Sequence, residues 1–132
     1  MDEILAIMLS WAVMLTGYPA PRDPPTVEMV PHAFLVAHAC GGQACHVQGW
    51  YAGGHTVYLD DTLDPVAGLY DSSVLLHELV HFLQEQSRSA AGHAGCVANL
   101  AAEREAYGAQ REYLLRYGVY RPVGSSMHHV GC

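Results

Sequence analysis

The chain has 132 residues, 51% of them apolar, with thirteen Asp and Glu against six Lys and Arg and a formal charge of −7. That length allows one domain with its own core, and the apolar share excludes a disordered chain. An acidic balance without a basic patch excludes nucleic acid as a partner, while nine histidines, more than all the basic residues together, suit metal chemistry.

Ile4 to Leu15 is almost wholly apolar. It is too short for a bilayer span, which takes about 20 residues. Asp2 and Glu3 stand where a signal peptide needs basic residues, and no A-x-A site follows. Ile4, Ile7, Met8, Trp11, Met14 and Leu15 recur at helical spacing, which predicts a buried N-terminal helix ending near Gly17. A proline-rich connector runs from Tyr18 to Pro25. Thr26 to Val30 reads as a strand stopped by Pro31, and Ala33 to Ala39 as a short helix or a strand, between which periodicity does not choose. Val47 to Tyr51 and Thr56 to Leu59 read as a hairpin around Ala52-Gly53-Gly54-His55. Asp60 to Tyr70 is rich in turn formers and reads as a loop.

Asp71, Ser72 and Ser73 then offer N-cap oxygens for a helix from about Val74 to Gln86. On it Leu75, Leu79, Phe82 and Leu83 take one side, and His77, His81, Gln84 and Arg88 the other. Ser87 to Gly95 is a loop of small residues. A long helix from about Cys96 or Val97 to Tyr117 stops at Gly118, and Arg121 to Cys132 is a tail. Together these elements predict a single α+β domain over residues 1–132.

The four cysteines, Cys40, Cys45, Cys96 and Cys132, include no C-x-x-C pair, which argues against a structural zinc ribbon. An even count at these positions favours two disulfides and a periplasmic or secreted home, with free thiols in the cytoplasm as the alternative. Of the three possible pairings, the expected one is Cys40–Cys45, closing a glycine-containing loop, with Cys96–Cys132 anchoring the tail.

The segment His77-Glu78-Leu79-Val80-His81 reads H-E-x-x-H inside a helical stretch. Two histidines four apart on a helix lie about 40° from each other, so both imidazoles reach one ion, while Glu78 is turned about 100° from His77, beside the ion. Such a site usually takes a third protein ligand and leaves one position for water. The continuation H-x-x-G-x-x-H is missing: Gln84 stands at the glycine and Ser87 at the histidine. A glutamate from the last helix is the alternative. Leu100, Tyr107, Gln110 and Leu114 lie within about 60° of Glu103 on the helical wheel, whereas Glu105 and Glu112 point about 180–200° away, toward solvent. A carboxylate on a core-facing stripe needs a compensating partner, and a metal ion is one. Glu103 is therefore the chosen third ligand; a simple pairing with Arg104 or Arg111 is the competing account of it.

With Glu103-Arg104-Glu105-Ala106-Tyr107, the H-E-x-x-H segment resembles the gluzincin metallopeptidases, in which E-x-x-A on a later helix supplies the third ligand; Glu103 and Ala106 match. The stretch His77 to Gln84 with the Glu103 to Tyr113 helix is also similar to a family of uncharacterised small bacterial peptidase-like proteins. The resemblance implies a minimal zincin-like domain: N-terminal helix, small sheet or hairpin, active-site helix and ligand-bearing C-terminal helix. It implies Zn2+ on His77, His81 and Glu103, and peptide-bond hydrolysis with Glu78 as general base. A peptide or protein substrate would lie along the Val47 to Leu59 hairpin as the edge, with Trp50 and Tyr51 as candidate cleft residues.

There are departures. Many gluzincins carry Asp or Asn four residues after the glutamate; here Tyr107 stands there, and its hydroxyl is expected to hold a ligand histidine. The oxyanion-steadying residue is open among His93, Tyr58, Tyr70 and Tyr107. The short chain leaves little for a substrate subdomain, so a shallow cleft, or one completed by a partner protein, is expected. Two further possibilities stand beside the general peptidase: a catalytically silent, metal-stabilised binding module, and a peptidase dedicated to one protein.

Overall fold

The structure, a computed structural model, describes residues 1–87 and 95–132, apart from the side chain of His128. Its architecture is α+β: four helices and a short 3-10 turn around a small mixed sheet of three strands, among the described residues. Helix α1 (Asp2–Thr16) ends at Gly17, whose left-handed φ of 79° lets its N–H reach Val13 O. The buried stripe of α1 is Leu5, Met8 and Ala12. Ile7 and Met14, expected inside, are exposed instead; an apolar helix has no polar face to fix its rotation, so tertiary contacts choose which stripe is covered.

The sheet has strand order β1-β3-β2, with β1 (Thr26–Val30) parallel to β3 (Thr56–Asp60) and β2 (Gly49–Trp50) antiparallel to it. The expected hairpin forms, but its first strand shortens to two residues at the sheet edge. The ambiguous segment is a helix, α2 (His32–Ala39), begun after Pro31 in extended backbone. Alternation along β3 decides what each side of the hairpin does. Val57 and Leu59 are buried in the core, so Gly49, opposite Leu59, faces the helices. Trp50, opposite Tyr58, lies on the outer face, where both rings meet Phe34 of α2.

Helix α3 (Leu69–Ser87) is the centre of the molecule, packed by α1, the sheet and α4 (Cys96–Arg116). Leu75, Leu76, Leu79, Val80, Phe82 and Leu83 are fully buried, covering more than one side of the helix. It starts earlier than its serines suggested. The carbonyl of Asp64 accepts Gly68 N–H and the Asp71 carboxylate accepts Asp64 N–H, which sets the first turn at Leu69. Asp71, Ser72 and Ser73 thus lie inside the helix, where Ser72 and Ser73 donate to the carbonyls of Leu69 and Tyr70. Ser87 belongs to α3 and Gly95 directly precedes α4; Arg88 and His93 lie outside the described residues. The tail contains a short 3-10 turn, Ser125–His129.

Both expected disulfides are present, Cys40–Cys45 and Cys96–Cys132. Two such bonds suit an oxidising, extracellular compartment. No helix among the described residues is long and apolar enough to cross a membrane. The bonds differ in the chain they constrain, with sequence separations of 5 and 36. Loop-closure entropy then predicts a loss of about 4 kcal/mol on removing Cys96–Cys132 and about 2 kcal/mol on removing Cys40–Cys45. Urea unfolding of Cys132→Ser and Cys45→Ser variants checks the order; equal losses contradict it.

Candidate metal centre

His77 and His81 sit one turn apart on α3 and face α4, where Glu103 lies one turn before Tyr107. The fold brings all three together. One ring nitrogen from each of His77 and His81 and a carboxylate oxygen of Glu103 lie within 4.8 Å of one another, the one such group of His, Cys, Asp and Glu among the described residues that could hold a metal ion. His77 Nε2 stands 3.5 Å from Glu103 Oε1, and His81 Nε2 contacts the same oxygen directly. Ligand atoms of a tetrahedral ion with bonds of about 2.0–2.1 Å are about 3.3 Å apart, close to the His77–Glu103 separation, and the set has the donor chemistry of a three-ligand site. Glu103 does not pair with Arg104 or Arg111: its partners are the histidines, and Arg111 donates to Val123 O.

Glu78 is buried, with Oε2 at 4.0 Å from His77 Nε2, beside the ligand set. Gly49 of β2 makes room for it. A Cβ at that position would lie 2.9 Å from Glu78 Cγ and 3.1 Å from Oε2. The electrostatics divide the two carboxyls. Burial pushes Glu78 up; His77 and His81 oppose this, Glu103 adds to it, and the net shift is upward. Burial acts on Glu103 in the same sense, but both imidazoles outweigh it and hold its carboxyl well below the usual range. Burial alone would lower His81, yet Glu103 and Glu78 raise it above its ordinary value.

These side chains line a cleft of about 1060 Å³. One wall is the edge segment from Val47 to Gly53, which includes Tyr51 and Trp50, although the Trp50 ring packs on the outer face with Phe34 and Tyr58; Tyr70, Tyr107, Val123 and Gly124 stand among the other lining residues. The four oxyanion candidates separate. Tyr58 packs on the outer face of the sheet with Phe34 and Trp50 and is no part of the cleft. Tyr70 lines it but donates its hydroxyl to Gln48 Oε1 at 2.9 Å, under the Arg121 guanidinium. Tyr107 lines it with its ring 4.4 Å from that of His77; burial and the nearby Glu103 and Glu78 push its hydroxyl up and keep it protonated. His93 is outside the described residues.

Two expectations fail here. Tyr107 does not hold a ligand histidine; it packs edge-on against His77, whose Nδ1 pairs instead with Gln110 Oε1 at 3.0 Å. Glu105 does not face solvent: its Oε1 accepts Tyr18 O–H at 2.6 Å and Gln84 Nε2–H at 2.9 Å, because α4 is covered on that side by the connector after α1. Gln84 in turn meets His81 Nδ1 at 2.8 Å. Gln84 and Gln110 were not singled out as supports for the histidines. For Gln110 the sign was there, since an amide on a core-facing stripe needs partners as a carboxylate does; Gln84 lies on the histidine side of its helix, and only the packing of α4 covers it. Glu112 does face outward, paired with Arg116.

Residues 1–125 match the family described as Domain of unknown function (DUF6647), and the chain belongs to that family. Comparison with curated proteins and with solved structures gave no match.

The tight approach of Gly49 to Glu78 gives a direct check. In a crystal structure of Gly49→Ala the Glu78 carboxyl is expected to swing away from the ligand set while His77, His81 and Glu103 keep their places. An unmoved Glu78 contradicts the packing described.

Proposed function

We propose that this protein is a zinc-dependent peptidase of gluzincin type. One observation carries the reading: two imidazoles from α3 and a carboxylate from α4 converge, and a buried carboxyl stands beside them without joining them. His77, His81 and Glu103 hold the ion; this His₂Glu set with an open position favours zinc. Zinc held there would polarise a water and the scissile carbonyl.

The chain's own residues do the rest. Glu78 takes the proton of the attacking water and delivers it to the leaving amine; its raised proton affinity brings it closer to the pH at which a shuttle works best. An extended peptide pairs with the edge around Gly49–Trp50, so main-chain contacts supply affinity with little sequence preference. Among the described oxyanion candidates, Tyr107 is the one that lines the cleft against a ligand histidine, and its protonated hydroxyl is the donor assigned to the developing oxyanion. Two disulfides fit a periplasmic or secreted enzyme.

An intact Glu78 separates an enzyme from a silent metal-stabilised module, which has no use for it. Glu78→Gln is expected to keep bound zinc and lower hydrolysis of a quenched peptide library by about 10²–10⁴-fold, while His77→Ala loses both metal and activity. Unchanged turnover in Glu78→Gln, or wild-type turnover that survives a chelator, rejects the peptidase reading.

Protons compete with zinc for the histidines. Because Glu103 and Glu78 raise His81 above 6.5, that competition begins above the ordinary histidine range. Zinc affinity measured by chelator competition is expected to fall steadily as pH is lowered from above the ordinary histidine range to below it. An affinity flat across that interval contradicts ligation by His81.

A further inference from the structure

Each ligand histidine presents Nε2 to the metal centre and turns Nδ1 to a glutamine, on opposite sides of the site. Gln84 and Gln110 are 1% and 4% exposed, so neither amide can trade its partners for bulk water. The question is which end of each amide faces the imidazole, and the surroundings decide it.

The Gln84 amide nitrogen lies 2.9 Å from Ala102 O and 2.9 Å from Glu105 Oε1. Both atoms accept only, since the Tyr18 hydroxyl already donates to Glu105 Oε1 and a main-chain carbonyl has nothing to donate. The nitrogen must therefore point there, and the carbonyl must face His81. At the other end, the Gln110 nitrogen lies 3.1 Å from Ser73 Oγ, whose own proton is committed to Tyr70 O at 2.6 Å. Ser73 can only accept, so the Gln110 carbonyl must face His77.

We infer that Gln84 and Gln110 are positioning residues that fix both ligand histidines as Nδ1–H tautomers, leaving both Nε2 lone pairs free for one ion. A carbonyl opposite Nδ1 accepts a proton's hydrogen bond but cannot take the proton. It also adds no negative charge, so Glu103 is the single anionic ligand and the ion keeps its electrophilic character. The orienting groups are remote: Ser73 and the Tyr70 carbonyl act on His77 through Gln110, and Ala102 and Glu105 act on His81 through Gln84.

This rests on the metal part of the function proposed above, and zinc itself is the probe. In the full-length, disulfide-bonded protein, Gln84→Met and Gln110→Met are each expected to weaken Zn2+ by about 10–100-fold in chelator competition. Gln110→Glu gives up the bond to Ser73 but sets a charged acceptor opposite His77, which outweighs that loss, and is expected to hold zinc at least as tightly as wild type. Ser73→Ala, which touches neither histidine, is expected to weaken zinc several-fold. In nitrogen-correlated NMR of the zinc-loaded protein it should disturb the Nδ1–H signal of His77 and leave that of His81 alone.

A packing role alone predicts the reverse: methionine variants that fold and bind zinc within about twofold of wild type, and an unmoved His77 signal in Ser73→Ala. Either result overturns the inference. So does an Nε2–H signal at either histidine of the zinc-loaded wild type. Should the methionine variants fail to fold, Gln110→Glu and Ser73→Ala decide. A wild-type chain that binds no zinc rejects the metal reading itself, a different failure from wild-type binding that the glutamines do not influence.

Discussion

Glu103 of α4 lies between two imidazoles of α3, and that contact ties the orientation of the two helices to the chemistry of the site. A carboxylate half removed from water is costly unless charge or hydrogen bonds compensate it. Here the compensation comes from the neighbouring helix, so the two cannot rotate or slide past each other without exposing an unmatched group. Gln84 and Gln110 add the same constraint: each bonds both across the α3–α4 interface and to one of the two histidines. The polar seam specifies a register that apolar contacts alone would leave loose.

Helix α3 therefore has two duties. Its leucines, two valines and phenylalanine fill the core against α1, the sheet and α4, while His77, Glu78, His81 and Gln84 form a polar strip. That strip is almost as buried as the core. No fully buried side-chain nitrogen or oxygen among the described residues lacks a hydrogen-bond partner. A helix buried almost all round is a rigid platform, which a site requiring sub-ångström placement needs.

The cleft is assembled from distant parts of the chain. The edge strand enters through Gly49, where the lack of a side chain admits Glu78. The tail enters through Gly124, whose φ of 74° and closeness to the Tyr107 ring require glycine: a Cβ there would fall 2.3 Å from Tyr107 Cγ. Arg111 holds Val123 O and Cys96–Cys132 ties the chain end back to α4. The tail thus supplies part of the cleft wall, held by packing of Val123 on the core, by Arg111 and by the disulfide together.

Local chemistry was legible in the sequence. The four-residue spacing of His77 and His81 follows from helical pitch, and Glu103 was separable from Glu112 by its stripe on the same helix. The cysteine pairing followed from position, and the hairpin from its glycine turn. Periodicity could not show what each face would meet. Glu105 looked solvent-facing because a helical wheel contains no neighbouring connector, yet Tyr18 and Gln84 reach it. Ser72 and Ser73 resemble caps because a serine oxygen serves a helix start and a buried network equally well. Ile7 and Met14 look like core because an apolar helix does not state which stripe will be covered. Periods and spacings thus determined which atoms this chain brings to a site. Packing among α3, α4, the sheet edge and the tail decided their partners, because hydrogen-bond satisfaction in a buried space depends on what arrives from elsewhere in the chain.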